Sequence, residues 1–200
     1  MDRDTQCDQR VIKLLSDLHS DSRHNMQLLP RPFIVEFDGM PSSGKTTIIR
    51  ALDKYFRHNG WCVFPPQEGA QVVRHIPRDH PSLAEYNIRT ALYATQMIID
   101  ASWNRTYDII LLDRGIFDCC CWMEYLHQHG LITGGEAHIL NLFYLLPFFT
   151  QKIDCAVVVV CDPDVALKRV QAMKISPIEG FTNSRSLRAC STSPYSATIP

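Results

Sequence analysis

The chain has 200 residues and a mass of 22.9 kDa, which is the size of one domain. Hydrophobic residues make up 46% and charged residues 20%, an ordinary globular composition that excludes a chain disordered throughout. The formal net charge is −1, so no overall basic field exists to hold a nucleic-acid backbone. Polymeric DNA or RNA is therefore not expected as a partner.

The cysteines and the apolar runs bear on the compartment. Three of the 8 cysteines are consecutive, at 119–121, and no paired CxxC sets occur, which argues against a disulfide framework and against zinc. Most of these thiols are expected to be packing residues in a reducing compartment, and a cytoplasmic location is predicted. No apolar run approaches about 18 to 20 residues, so no membrane span or membrane partner is expected.

Hydrophobic periodicity predicts alternating strands and helices between two flanking segments. Residues 1–30 are expected to form an N-terminal helical extension and a linker. The predicted strands are 33–37, 61–64, 108–113 and 155–160. The predicted helices are 46–56, 83–103, 116–128, 136–149 and one that begins near Pro163. Residues 176–200 have little periodicity and are expected to form a lid-like loop or a disordered tail.

The alternation indicates an α/β fold in three layers, with a mainly parallel sheet covered by helices on both faces. Four strands are evident in the sequence and a fifth is not. One domain of this fold is expected over 31–175. Ser82 and Glu85 form a capping-box pattern, which predicts that the longest helix begins at Leu83.

A phosphate-binding loop lies between the first strand and the first helix of this domain. Its residues match G-x-x-x-x-G-K-[ST] at every fixed position: Gly39-Met40-Pro41-Ser42-Ser43-Gly44-Lys45-Thr46. The glycines let backbone N–H groups form an anion nest at the positive end of a helix. Lys45 is expected to reach the β- and γ-phosphates of ATP, and the Thr46 hydroxyl to bind Mg²⁺. Thr47 is included in the predicted ATP site.

Two charged residues follow the third predicted strand. Asp113 ends that strand after the loop motif, where a carboxylate of the Walker B type holds Mg²⁺; the alternative is a helix-capping aspartate. Arg114 comes next, at the carboxyl edge of the sheet, where open α/β proteins bind ligands. Its guanidinium suits a phosphate or a developing phosphoryl charge, and the alternative is a surface ion pair.

With these motifs in view, the sequence resembles the thymidylate kinase and deoxynucleoside kinase group of P-loop phosphotransferases, roughly from Arg31 to Lys174. The resemblance rests on the loop, on the Asp113-Arg114 pair and on a third segment, Asp162-Pro163-Asp164-Val165-Ala166-Leu167-Lys168-Arg169. It implies a five-stranded parallel sheet and transfer of the γ-phosphoryl group of ATP to a nucleoside or nucleoside monophosphate. It also implies a homodimer, to which 142–149 is apolar enough to contribute.

The resemblance further implies acceptor-site residues. Glu68, just after the second strand, matches the acidic residue that acts as base or binds the acceptor hydroxyl; the alternative is a solvated loop glutamate. Tyr93 and Gln96 match an aromatic and an amide that lie against the base, although Tyr93 could equally be a core residue. Arg169 is a candidate cation of the lid.

The sequence departs from the group in three ways. Gln67-Glu68-Gly69 replaces the usual Arg-Glu-Pro, and Met97 stands where the group has an arginine on the long helix. Because both changes remove an arginine that would bind a phosphate, they favour a nucleoside or another small hydroxyl compound over a monophosphate as acceptor. Residues 176–200 offer no clear fifth strand, as in a shortened isoform or a truncated chain.

Two functions fit these observations. The first is an ATP- and Mg²⁺-dependent small-molecule kinase, in which Lys45 and Arg114 stabilise the transferred phosphoryl group and Glu68 orients the acceptor. The second is a regulatory or catalytically impaired protein that binds a nucleotide without efficient turnover. Acceptor-dependent consumption of ATP distinguishes the two.

Overall fold

A computed structural model describes residues 31–64, 69–73, 75–77 and 82–172. The segments predicted for 1–30 and 176–200 lie outside these residues, as does Glu68. The strands are β1 (Phe33–Asp38), β2 (Val63–Phe64), β3 (Ile109–Asp113) and β4 (Cys155–Val158). The helices are α1 (Lys45–His58), α2 (Gly69–Val72), α3 (Leu83–Trp103), α4 (Ile116–Gln128), α5 (Gly134–Tyr144), α6 (Pro147–Thr150) and α7 (Pro163–Ala172).

The four described strands form one parallel sheet in the order β2-β3-β1-β4. In the register of its two central strands, Val35 lies opposite Leu111 and Phe37 opposite Asp113. Because all the strands run the same way, their carboxyl ends lie at one edge of the sheet. The loop after β1 and the turn after β3 are therefore neighbours at that edge.

Helices cover both faces of the sheet, because successive strand residues point to opposite sides. Ile34 belongs to a core formed with α3, α4, α5 and α6, while Val35 and Phe37 belong to a second core formed with α1. The predicted three-layer α/β fold is confirmed. None of the helices in the described part of the chain is both long and apolar enough to cross a bilayer.

The helix predicted for 136–149 is two helices. Leu146 has ψ 136°, the extended conformation that a residue preceding proline prefers, and α6 begins at Pro147. The first of the two, α5, begins earlier than predicted, at a capping box in which Thr133 accepts from the Glu136 N–H and the Glu136 carboxylate accepts from Thr133.

The capping box predicted at Ser82 and Glu85 is wrong. Helix α3 does begin at Leu83, but the Ser82 hydroxyl donates to the carbonyl of Pro77 instead of capping the helix. The fourth strand ends at Val158, two residues earlier than predicted, and its side chains are half-buried or exposed. Among the described strands it lies at the edge of the sheet, so fewer of the described residues cover it.

Candidate phosphate-binding site

The predicted loop follows β1 and leads directly into α1. Three of its residues have positive φ, at 134° for Gly39, 60° for Ser42 and 108° for Gly44. Position 39 also has no room for a side chain, because a Cβ there would lie 2.3 Å from the carbonyl oxygen of Val159. The tight curl that the sequence pattern predicted thus depends on glycine at both fixed positions.

The amino end of α1 carries no anion of its own. Gly44 is the N-cap, it has no side-chain cap hydrogen bond, and the first turn of α1 contains no acidic residue. A helix amino end concentrates N–H donors and a partial positive charge. This end of α1 is therefore suited to an external anion such as a phosphate.

Lys45 is buried and folds back over the loop. Its ammonium donates to the carbonyls of Gly39, at 2.7 Å, and Met40, at 3.0 Å. A lysine ammonium has three donors, and two of them are directed at the loop here. Its positive charge consequently lies beside the N–H groups at the amino end of α1.

Thr46 and Asp113, the two predicted magnesium ligands, are in direct contact. The Thr46 hydroxyl donates to Oδ2 of Asp113 at 2.8 Å, which joins the first turn of α1 to the end of β3. A hydroxyl and a carboxylate are oxygen donors, the kind that Mg²⁺ prefers. In the described part of the chain no group of three or more His, Cys, Asp or Glu side chains could hold a metal. Two protein ligands fit an ion completed by phosphate and water oxygens.

Arg169, 123 residues beyond Thr46 in sequence, reaches the same loop from α7. Its guanidinium donates to the carbonyls of Ser42 and Ser43, both at 3.1 Å. Helix α7 is held there by a small apolar cluster that includes Met40 of the loop and Ala166 of the helix. The structure thus brings a second cation to the loop beside Lys45.

Arg114 has an unusual backbone and a fixed side chain. Its φ is 69°, and its N–H donates to the carbonyl of Phe37 on β1 at 3.0 Å. Its guanidinium donates to both carboxylate oxygens of Asp118, at 3.0 and 2.7 Å, and lies 5.9 Å from the ring centre of Trp122. The alternative of a surface ion pair does not describe this contact, since both side chains are largely buried.

The predicted acceptor residues are not gathered in the same way. Glu68 lies outside the described residues. Tyr93 is half-buried on α3 and packs near Gly69 of α2, and burial raises its pKa. Gln96 is exposed, and its amide donates to Asp100 at 3.5 Å. The contacts described for Tyr93 and Gln96 are with α2 and α3, not with the loop.

Three acids at this edge were missed by the sequence analysis: Glu36, Asp38 and Asp118. Glu36 is fully buried on β1, and its Oε1 accepts the N–H of Phe117 at 2.8 Å and of Asp118 at 3.4 Å. Asp38 lies two residues further along β1 and is also buried. Two acids in an otherwise apolar strand were a signal, because buried carboxylates are rare without a specific partner.

Glu36 and Asp38 affect each other's ionisation. Burial raises the pKa of Glu36 from 4.5 to about 7, although a hydrogen bond with Asp38 lowers it in part. Burial, and then the charge of Glu36, raise the pKa of Asp38 from 3.8 to about 10. If both groups are ionised, Glu36 Oε2 and both Asp38 oxygens have no hydrogen-bond donor among the described residues, and the bond between the two acids cannot form. A proton kept by Asp38 supplies the missing donor.

Comparison with known proteins supports the fold. No protein-family model matches the sequence, and no curated protein matches it either. Among solved structures, deoxyadenosine kinase from M. mycoides with bound dCTP is similar, with a TM-score of 0.57 and 12% identity over 79% of this chain and 79% of that one. The chain therefore has the fold of a P-loop kinase, and at this identity the likeness extends to the fold alone.

Proposed function

We propose that this protein is an ATP- and Mg²⁺-dependent kinase that transfers the γ-phosphoryl group of ATP to the hydroxyl of a nucleoside or a similar small acceptor. The observation that carries the proposal is the 2.8 Å hydrogen bond between Thr46 and Asp113. It joins the phosphate-loop motif to the strand end where P-loop phosphotransferases hold their metal. The fold shared with a deoxyadenosine kinase supports a nucleoside as acceptor.

The loop binds the phosphates of ATP in this proposal. The N–H groups at the amino end of α1 donate to phosphate oxygens, and Lys45 neutralises charge on the β- and γ-phosphates. Lys45 and Arg169 donate to loop carbonyls in the structure described here. Both can redirect donors to a phosphate without moving far, because the loop that they contact is the phosphate site itself.

Thr46 and Asp113 hold the metal. Mg²⁺ held there would neutralise negative charge on the phosphates during transfer. Thr46 supplies a hydroxyl oxygen and Asp113 a carboxylate, and their existing contact places both donors at one point. The protein thereby orients the phosphates against the edge of the sheet where an acceptor would approach.

Arg114 and the predicted acceptor residues complete the proposal. Arg114 lies at that edge with its guanidinium held by Asp118, so its position is fixed before any ligand arrives. A fixed cation stabilises the transferred group without the cost of reorganisation. Glu68 would orient or deprotonate the acceptor hydroxyl, and Tyr93 and Gln96 would contact the base; the resemblance alone supports these three roles.

The test is consumption of ATP by the purified chain with Mg²⁺ and a panel of nucleosides, nucleoside monophosphates and small alcohols. Turnover with one acceptor is expected, and Lys45→Ala should lower it by roughly 10² to 10³-fold, the usual cost of losing one charge-stabilising donor. Lys54→Ala is the matched control, since Lys54 is an exposed lysine of the same helix. Stabilisation by ATP and Mg²⁺ without turnover of any acceptor would instead support a regulatory nucleotide-binding protein.

We also propose that the kinase forms a homodimer through α5 and α6. These helices expose apolar side chains that include Leu142, at 57% exposure, and Phe148, at 61%. Exposed apolar side chains on two successive helices favour an interaction site there. Light scattering should give a dimeric mass that Leu142→Asp reduces to the monomer, and a monomeric mass for the unaltered chain would contradict the proposal.

A further inference from the structure

Glu36 is a buried carboxyl beneath the turn that joins β3 to α4. It lies on β1 opposite Leu112, and its Oε1 accepts two consecutive N–H groups from the first turn of α4, those of Phe117 and Asp118. Those N–H groups have no partner within the helix, so an internal acceptor stabilises them. Glu36 thus caps α4 from a different strand of the sheet.

The turn above Glu36 fits closely over its carboxyl group. A Cβ at Gly115 would lie 2.3 Å from both Cδ and Oε2 of Glu36, so glycine is the residue that this approach permits. The preceding residue, Arg114, has a φ of 69°, a left-handed conformation that is unfavourable for a residue other than glycine. Surrounding contacts must hold such a residue in place.

The same contacts continue to the Arg114 side chain. Asp118, whose N–H donates to Glu36, uses its carboxylate to hold the Arg114 guanidinium at 2.7 and 3.0 Å. It also accepts from the indole N–H of Trp122 at 2.9 Å. A path of hydrogen bonds therefore leads from Glu36 through the first turn of α4 to Arg114.

We propose that Glu36 is a positioning residue: by anchoring the first turn of α4, it fixes the Asp118 carboxylate and, through it, the Arg114 guanidinium beside the phosphate loop. The inference rests on the proposed function, in which Arg114 stabilises the transferred phosphoryl group. Glu36 itself touches neither ATP nor the acceptor. Asp38 and Asp118 are the charged groups that influence the pKa of Glu36, and Arg114 in turn lowers that of Asp38.

The kinetic test uses Glu36→Ala and Glu36→Gln. Glu36→Ala should lower kcat about 10- to 100-fold, the effect of misplacing a catalytic group by about 1 Å, and leave the KM for ATP unchanged. Glu36→Gln should restore most of the rate, because its amide oxygen still accepts from α4 and its amide N–H₂ can donate to Asp38. In an Arg114→Ala background Glu36→Ala should cause no further loss. Additive losses, or no rescue by glutamine, would overturn the proposal.

A second test does not depend on turnover. The indole N–H signal of Trp122 in an NMR spectrum reports the contact with Asp118, and Trp122→Phe assigns it among the 3 tryptophans. Glu36→Ala should shift this signal and leave those of Trp61 and Trp103 in place, while Glu36→Gln should shift none. Glu124→Ala, which alters an acid of α4 bonded only to Gln128 in the described contacts, is the control.

These outcomes separate the two proposals. If the unaltered chain turns nothing over with any acceptor, the proposed function fails, whatever the indole signal does. If turnover occurs but Glu36→Ala moves neither kcat nor the Trp122 signal, the positioning role fails and the proposed function stands. A shift of all three indole signals would mean general loss of packing and would also overturn a specific positioning role.

Discussion

Two strand–turn–helix units lie side by side at the carboxyl edge of the sheet, and they treat the helix amino end in opposite ways. In β1–α1 the helix begins at Gly44 with no side-chain cap and no acid in its first turn. In β3–α4 Glu36 accepts two N–H groups from the first turn of the helix, and that turn also contains Asp118. The first amino end is open to an external anion, and the second is already filled by the protein's own carboxylates.

The difference indicates that the two helix amino ends at this sheet edge have different roles. An open helix end with a nearby lysine is a site for phosphate, because binding an anion there satisfies N–H donors and compensates charge. A helix end filled by internal acids attracts no anion, but it holds its neighbouring arginine rigidly. Under the proposed function, the β1–α1 unit binds the phosphates and the β3–α4 unit holds Arg114 beside them.

The largest effect is expected at the contact between the two units, the hydrogen bond between Thr46 and Asp113. Asp113→Asn removes the carboxylate from the Thr46 pair, and we expect the Mg²⁺ concentration required for half-maximal activity to rise by about 10- to 100-fold. Magnesium titrations at saturating ATP measure this. Asp53→Asn, which alters a half-buried acid of α1 that is ion-paired with Arg57, should leave the requirement unchanged. An unchanged requirement in Asp113→Asn would remove Asp113 from the metal site.

A second change tests the close fit of the β3–α4 turn. Gly115→Ala places a Cβ against the Glu36 carboxyl, and we expect a loss of about 1–3 kcal/mol in the free energy of unfolding, as for other overpacked sites. Urea denaturation measures it. Gly135→Ala is the control, because the Thr133 hydroxyl, the nearest neighbour of a Cβ at that position, would lie 4.0 Å away and alanine suits the first turn of α5. Equal stability of the two variants would contradict the fit described here.

The pH dependence of stability tests the two buried acids of β1, Glu36 and Asp38. Burial raises the pKa of Asp38 from 3.8 to about 10 and that of Glu36 from 4.5 to about 7, so the folded state binds more protons than the unfolded state across that window. Stability should therefore fall as the pH rises, by about 1.4 kcal/mol per pH unit for each proton retained.

Asp38→Asn provides the comparison for this prediction. An amide keeps no titrating proton, so the slope of the unfolding free energy between about pH 7 and pH 9 should be shallower in Asp38→Asn than in the unaltered chain. Urea denaturation at several pH values measures both slopes. Parallel slopes would mean that Asp38 does not keep its proton in the folded state.

The smallest effect is expected from a variant that gives the amino end of α1 an anion of its own, which removes the difference from the amino end of α4. Thr47 is exposed in the first turn of α1, and Thr47→Glu places a carboxylate where a phosphate would bind. We expect about 10-fold weaker binding of ATP, equivalent to about 1.4 kcal/mol, and a small gain in stability. Thr47→Gln, which adds no charge and keeps the backbone N–H of position 47, should bind ATP about 10-fold more tightly than Thr47→Glu in the same calorimetric titration. Equal affinities in the two variants would contradict the open helix end.

The sequence predicts the β1–α1 unit better than the β3–α4 unit, for a physical reason. The loop is a short local pattern between a strand and a helix, and parallel strands bring Asp113 to it, so Thr46 and Asp113 could be paired in advance. The role of Glu36 depends on strand register and on an acceptor 81 residues away from its donor, which no local pattern contains. The break before Pro147 and the Thr133 capping box were local signals, and both could have been found.

The most direct measurement follows backbone amide signals by NMR during titration with ATP and Mg²⁺. If the amino end of α1 is the one that accepts an external anion, the N–H signals of Gly44, Lys45 and Thr46 should shift on binding. Those of Phe117 and Asp118 should remain in place, because these two N–H groups already donate to Glu36. Shifts at Phe117 and Asp118 without shifts at the loop, or no binding at all, would contradict the account.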